Sequence, residues 1–153
     1  MDVYFFDSSA IVKRYLIETG RGWVGSITDL AAGNKVYLAR HSCRSDLSHN
    51  AQSARFGLLA TGASKAIADF RDDFGNEYSV IELTPSLIEQ AADLAEAHAL
   101  RAYDAVQLAA ALQIDVEMKS AGASPITLVS ADGALNTAAL AEGLAVDDPN
   151  THP

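Results

Sequence analysis

Basic residues are scarce in this sequence, cysteine is almost absent, and no apolar run is long. Eleven lysines and arginines stand against 20 aspartates and glutamates, a formal net charge of −9 over 153 residues. That balance excludes a broad basic surface that coats a nucleic-acid duplex. It leaves open a local cluster of carboxylates, which presents a positive face to phosphate once it carries divalent cations. The single cysteine, Cys43, excludes an internal disulfide and a CxxC metal site, so packing alone must hold the fold, as in a reducing cytoplasm. The opening Met1-Asp2-Val3 carries no basic leader and no later stretch reaches membrane-spanning length, so a cytoplasmic chain with no membrane partner is expected.

What is abundant is apolar: 49% of the residues, enough for the core of one ordinary domain. Strand-length apolar runs recur at Val3–Phe6, Val36–Ala39, Tyr78–Leu83, Ile126–Val129 and Leu144–Val146, each separated by a stretch of helical composition. That alternation predicts an α/β domain with a parallel sheet covered on both faces. Ser8 or Ser9 can cap a helix running through Leu16, and Thr84 precedes a first-turn proline, Pro85, that opens a helix to about Ala97. Ala102–Met118 is apolar around most of its circumference and should lie buried between other elements. Ala134–Ala141 supplies the last full helix. The domain is expected over residues 1–147, with a frayed tail at 148–153.

Ligand sites of open parallel sheets lie at the carboxyl ends of the strands. Asp7 directly follows the first apolar run, and Asp132 follows the fourth across Ser130-Ala131. Asp104 opens the buried helix, whose N-terminus should face the same edge. Taken singly, each is an ordinary cap or first-turn acid, favoured by unpaired amides and the helix dipole. Taken together, three carboxylates in an aliphatic setting form an oxygen cage for a hard cation, magnesium or manganese rather than zinc.

The run from Val3 to Tyr15, with Glu18 and Gly20 following, resembles the opening of PIN-domain toxins of the VapC type. Leu100-Arg101-Ala102-Tyr103-Asp104-Ala105-Val106-Gln107-Leu108-Ala109 resembles the third acidic motif of that family, and Leu128-Val129-Ser130-Ala131-Asp132 the fourth. The resemblance covers nearly the whole chain. It implies a single PIN-like domain with a central parallel sheet of about five strands flanked by helices. It also implies an endoribonuclease that hydrolyses single-stranded RNA, the toxin of a type II toxin–antitoxin pair held by a small antitoxin protein, and frequent homodimers. Asp7, Asp104 and Asp132 carry over as catalytic and metal-holding residues, with Mg2+ as cofactor and Mn2+ as substitute.

The chain departs from the family at the second acidic motif. Counting from Tyr37-Leu38-Ala39-Arg40, the expected glutamate falls on Ser45, which cannot supply the charge. Asp46 beside it is one carbon shorter and turned by roughly 100° along a helix. The window 41–61 is unlike the rest of the chain and reads as divergence or a slipped reading frame, although Leu47, Ala51, Ala54 and Leu58 still offer a helical stripe. A zinc set of His41, Cys43 and His49 lacks a fourth ligand. The alternative function is therefore a catalytically inactive PIN domain that binds antitoxin or RNA. A response-regulator phosphoacceptor is disfavoured, since Asp7 has no acidic neighbour after the first strand and no lysine follows the strand ending at Val129. Lys13 and Arg14 are expected on a solvated helix face, and His98 at a helix end, where its cationic form is favoured.

Overall fold

The computed structural model describes residues 1–43 and 60–153. Ser45, Asp46, His49 and the stripe Leu47–Leu58 lie outside the described residues, so the expectations placed on them stand as sequence readings. The described chain runs β1 (Val3–Phe6), α1 (Ser8–Ile11), a 3-10 turn (Val12–Arg14), α2 (Arg21–Thr28) and β2 (Lys35–Ala39), followed by a second 3-10 turn (Arg40–Cys43). It continues with α3 (Ala60–Asn76), β3 (Ser79–Ile81), α4 (Pro85–His98), α5 (Ala102–Ser120), β4 (Thr127–Val129), α6 (Gly133–Ala141) and β5 (Ala145–Asp147).

All four strand pairings are parallel and the spatial order is β3-β2-β1-β4-β5. The chain thus moves outward from β1 in one direction and returns to build the other half from β4, which puts the switch in strand order between β1 and β4. In register, Phe6 of β1 stands beside Val129 of β4, so the residues following them, Asp7 and Ser130, emerge side by side at the carboxyl edge. The Asp7 amide donates to Val129 O at 3.0 Å and extends the ladder by one bond past the strand.

Each sheet face carries its own core. Phe5, Tyr37 and Leu128 pack against Leu87, Ala91 and Leu94 of α4, Leu108 and Ile114 of α5, and Leu135 of α6. Phe6, Leu38 and Val129 face Ile11, Leu16 and Val24 together with Phe70 and Phe74 of α3. Strands buried on both faces are uninterrupted apolar runs, which is why period-2 alternation is absent from them. The buried helix is confirmed for Ala105 and for the stretch from Gln107 to Ala111, while Val106 and Leu112 are half-covered and Val116 is exposed. Alanines there let α4 cross α5 closely. The helix also buries Asp115, whose Oδ1 accepts from Ile126 N–H at 3.3 Å and whose Oδ2 pairs with Lys119, pinning the connection into β4.

Several local expectations need correcting. The cap of α1 is Asp7, which has extended backbone (φ −71°, ψ 157°) and accepts from Ser9 N–H; Ser8 and Ser9 already lie inside the helix. The helix also tightens into a 3-10 turn after Ile11 instead of running to Leu16. Lys13 is not solvated: it is 5% exposed, and its Nζ donates to Thr19 O at 3.0 Å and Asn150 Oδ1 at 2.9 Å. Arg14 joins Asp73, Glu77 and Tyr78. The stretch after Asp147 does not fray. Pro149–Thr151 form a 3-10 turn capped by Asp148, His152 stacks on Trp23 at 4.0 Å, and the Pro149 carbonyl lies where a Cβ on Gly20 (φ +86°) would sit. Thr84 caps α4 through Leu87 N–H as expected.

Candidate active site

Three segments meet at the switch point: the β1–α1 turn with Asp7, the β4–α6 turn with Ser130 and Asp132, and the N-terminal turns of α5 with Asp104. A parallel strand that ends in a short turn before its helix leaves the first residue after the strand under the edge rather than out in solvent. Asp7 is accordingly 3% exposed. Its Oδ2 accepts from Ser9 Oγ at 2.5 Å, Ser9 N–H at 3.2 Å and Ser130 Oγ at 3.3 Å. Ser9 Oγ in turn accepts from Ala131 N–H, and Ser130 Oγ from Asp132 N–H, both at 3.0 Å, so two serines stitch the two turns together around one carboxylate.

Burial outweighs these hydrogen bonds, and with Asp104 nearby the Asp7 pKa rises to about 6 from 3.8. Desolvation is the largest cause; Ser9 and Ser8 pull the value down, and the charge of Asp104 pushes it up. A carboxyl held this way is ionised only at a cost near neutral pH, and it gains from any cation placed beside it.

Asp104 is half-buried in the first turn of α5, close enough to Asp7 to repel it. Its helix is docked against the β1–α1 turn by side chains on either side of it: Gln107 Nε2 donates to Ser8 Oγ at 3.0 Å, and Tyr103 Oη lies 3.4 Å from the same oxygen. Asp132 sits at the same edge but caps α6, with Oδ1 accepting from Leu135 N–H at 2.8 Å. The structure therefore brings Asp7 and Asp104 into electrostatic contact and ties Asp132 to Asp7 through Ser130. Among the described residues no group of three or more histidine, cysteine, aspartate or glutamate side chains is gathered tightly enough to hold a metal ion. The donor set fits a hard cation as a pair: magnesium keeps several waters and commonly takes only one or two protein carboxylates, with substrate phosphate completing its shell.

The sequence reading missed Ser9, Ser130 and Gln107. Ser9 and Ser130 read as ordinary turn residues; the available signal for Gln107 was a lone amide inside the aliphatic run Val106–Leu112. His41 packs edge-on against Tyr103 at 4.3 Å, which places it beside the site but not among its ligands.

Two curated relatives decide the family. Ribonuclease VapC45 of Mycobacterium tuberculosis (strain CDC 1551 / Oshkosh) and Ribonuclease VapC49 of Mycobacterium tuberculosis (strain ATCC 25618 / H37Rv) are each 35% identical to this chain over 115 residues, 74% of this chain and 78% of the relative. The chain belongs to the VapC ribonuclease family. Solved structures agree on the PIN-like fold: VapC20 of Mycobacterium tuberculosis, described as a sarcin–ricin loop cleaving toxin, matches with a TM-score of 0.61 at 18% identity over 93% of this chain and 96% of that one. FitAcB from Neisseria gonorrhoeae matches at 0.60 and 15% identity, over 95% and 97% of the two chains. VapBC2 from Rickettsia felis, bound to a DNA fragment from its promoter, matches at 0.58 and 14%, over 95% and 98%. No family model matches the chain. Among the described residues no helix is long and apolar enough to cross a membrane.

Proposed function

We propose that this VapC-family chain is a magnesium-dependent endoribonuclease that hydrolyses single-stranded RNA, the toxin of a toxin–antitoxin pair, with Mn2+ as an effective substitute. The observation that carries the reading is the buried Asp7 at the switch point, raised to a pKa of about 6 and facing Asp104. A fold keeps two repelling carboxylates under a sheet edge at a cost to stability, and a hard cation removes that cost. Asp7 and Asp104 would hold the ion, with Asp132 adding an oxygen or a water-mediated contact from the head of α6. When bound, magnesium supplies a water of lowered pKa and neutralises charge developing on the phosphate. The chain's own part is to fix the carboxylates before substrate arrives: Ser9 and Ser130 hold Asp7 in one rotamer, and Gln107 and Tyr103 hold α5 against it. No protein nucleophile is required.

The names of the relatives support the ribonuclease activity, and the paired names VapBC and FitAB of the structural neighbours support a small antitoxin partner. A homodimer and a cytoplasmic location belong to the same reading and are checked by light scattering and cell fractionation. The second reading, an inactive domain that only binds antitoxin or RNA, is favoured by Ser45 in place of the family's glutamate.

The experiment is cleavage of a labelled single-stranded RNA across a magnesium titration. Wild type is expected to be slow or to need high magnesium, Ser45→Glu to be faster by adding an oxygen ligand or a water anchor, and Asp7→Asn to abolish cutting in either background. Asp46→Ala, run in parallel, tells whether the neighbour already substitutes. No cleavage by wild type or Ser45→Glu with any divalent metal overturns the nuclease reading in favour of the binding one.

A further inference from the structure

Gln107 is wholly buried on α5, one turn beyond Asp104, in a stretch where its neighbours are aliphatic. Its Nε2 donates to two hydroxyls, Ser8 Oγ and Ser42 Oγ, both at 3.0 Å. Ser8 is 1% exposed and adjoins Asp7; Ser42 is 2% exposed and sits in the turn after β2, three residues before Ser45. Because the amide gives a hydrogen to each serine oxygen, those hydroxyls are left to donate onward, and Ser8 does so toward Tyr103 Oη at 3.4 Å, whose own proton goes to His41 O at 3.2 Å. The result is a one-way chain of donors from Gln107 through Ser8 and Tyr103 to the backbone at 41. It leaves Gln107 Oε1 without a hydrogen-bond partner among the described residues.

A buried amide with an unpaired oxygen destabilises the fold, and a leucine would fill the same aliphatic stretch without that cost. Packing alone therefore does not account for it. What the amide does is tie together α5, the β1–α1 turn and the turn after β2. Ser9 and Ser130 fix Asp7 from the β4 side, and the contacts from Ser8 to Gln107 and Tyr103 hold the start of α5, and with it Asp104, against the turn that carries Asp7.

We infer that Gln107, acting through Ser8 and Ser42, is a positioning residue that sets the separation of Asp7 and Asp104. The inference rests on the proposed reading of Asp7 and Asp104 as cation-holding residues. Its test is Mn2+ binding by the full chain, followed by electron paramagnetic resonance without RNA, alongside thermal melting. Gln107→Leu should weaken Mn2+ binding by about tenfold or more, the usual scale for losing a residue that orients a ligand. The triple variant Gln107→Leu, Ser8→Ala, Ser42→Ala leaves none of the three hydrogen-bonding groups orphaned, so its melting temperature should return toward wild type. Mn2+ affinity should stay low in it, which a merely structural role does not predict. If affinity recovers with stability in the triple variant, or if a folded Gln107→Leu binds Mn2+ like wild type, the inference is overturned. Where Gln107→Leu alone does not fold, the triple variant decides. If wild type itself does not bind Mn2+, the cation reading of Asp7 and Asp104 fails first and takes the inference with it, a result seen before any variant is made.

Discussion

Replacing Asp7 by asparagine should make the protein more stable at neutral pH, and the size of the gain follows from the site. The folded-state pKa of about 6 lies above the ordinary 3.8, so the native state binds the Asp7 proton more tightly than the unfolded chain does. Below pH ~4 both states are protonated and Asp7 costs nothing. As pH rises from ~4 to ~6 the unfolded chain ionises first and the native state loses stability relative to it; above ~6 the loss is constant. A gap of 2.2 pKa units corresponds to about 3 kcal/mol at 1.36 kcal/mol per unit, an order-of-magnitude figure that already nets the Ser8 and Ser9 hydrogen bonds against burial. Asparagine keeps an acceptor for the α1 cap and carries no charge to desolvate.

The stability difference between Asp7→Asn and wild type should therefore be near zero at pH 3.5 and climb to roughly 3 kcal/mol in favour of the variant by pH 7, or about 6–12 °C in melting temperature for a chain of this size. Urea denaturation followed by circular dichroism, in EDTA and at half-unit pH steps, reads it directly. Taking the difference between the two proteins cancels every titrating group they share. A difference that does not change with pH, or a variant less stable than wild type at pH 7, would refute the claim that burial of a charge is what Asp7 costs the fold. Saturating magnesium should then stabilise wild type and leave Asp7→Asn where it was.

Three further outcomes are expected. Ala99, the residue after α4, has φ +52°, a left-handed conformation that glycine adopts without strain, so Ala99→Gly should raise stability by about 1 kcal/mol in a urea melt. Gly20→Ala should lower it by 2 kcal/mol or more on the same assay, because a Cβ there meets the Pro149 carbonyl in addition to the strain of positive φ. Single-stranded RNA should bind weakly in EDTA and markedly more tightly in calcium, a hard cation, for wild type but not for Asp7→Asn; equal affinity in EDTA and calcium, measured by fluorescence anisotropy, would remove the cation from RNA binding.

The central strands β1, β2 and β4 were legible because they are largely buried on both faces, and all five show as short apolar runs between helical stretches; only their ends moved, as with Tyr78–Leu83 shrinking to Ser79–Ile81. Asp7 and Asp132 were legible as edge residues for the same reason, since the edge is wherever an apolar run stops, and Asp104 because it opens the buried helix whose N-terminus turns toward that edge. What surrounds them was not. Ser9 and Ser130 differ from ordinary turn serines only in what lies opposite them, Ala131 at 122 residues for Ser9 and Asp7 at 123 residues for Ser130, and no local pattern carries that information. Lys13 looked like surface because lysine is usually there; it is covered because the stretch after β5 returns across α2 and places Asn150 on its ammonium. The resemblance to VapC toxins supplied the function, which periodicity alone left at the level of an acidic site on a parallel sheet.

Charge placement connects these findings. Lys13, Arg14, Arg40, Lys65 and Lys119 each stand in an ion pair with one of the chain's own acids, so much of the scarce basic charge is matched within the fold. In the proposed reading an RNA strand approaching the carboxyl edge would meet Asp7, Asp104 and Asp132 there, and the net charge of −9 behind them. At close range like charges repel most strongly where the dielectric is lowest, which is at the buried Asp7. In the proposed reading a divalent cation does two jobs with one act of binding: it removes the repulsion between Asp7 and Asp104 that the fold tolerates, and it turns the edge from repulsive to attractive for phosphate. Metal binding, substrate binding and local stability are then coupled through one carboxylate, and Ser9, Ser130 and Gln107 keep that carboxylate and its neighbour in place while the cation is absent.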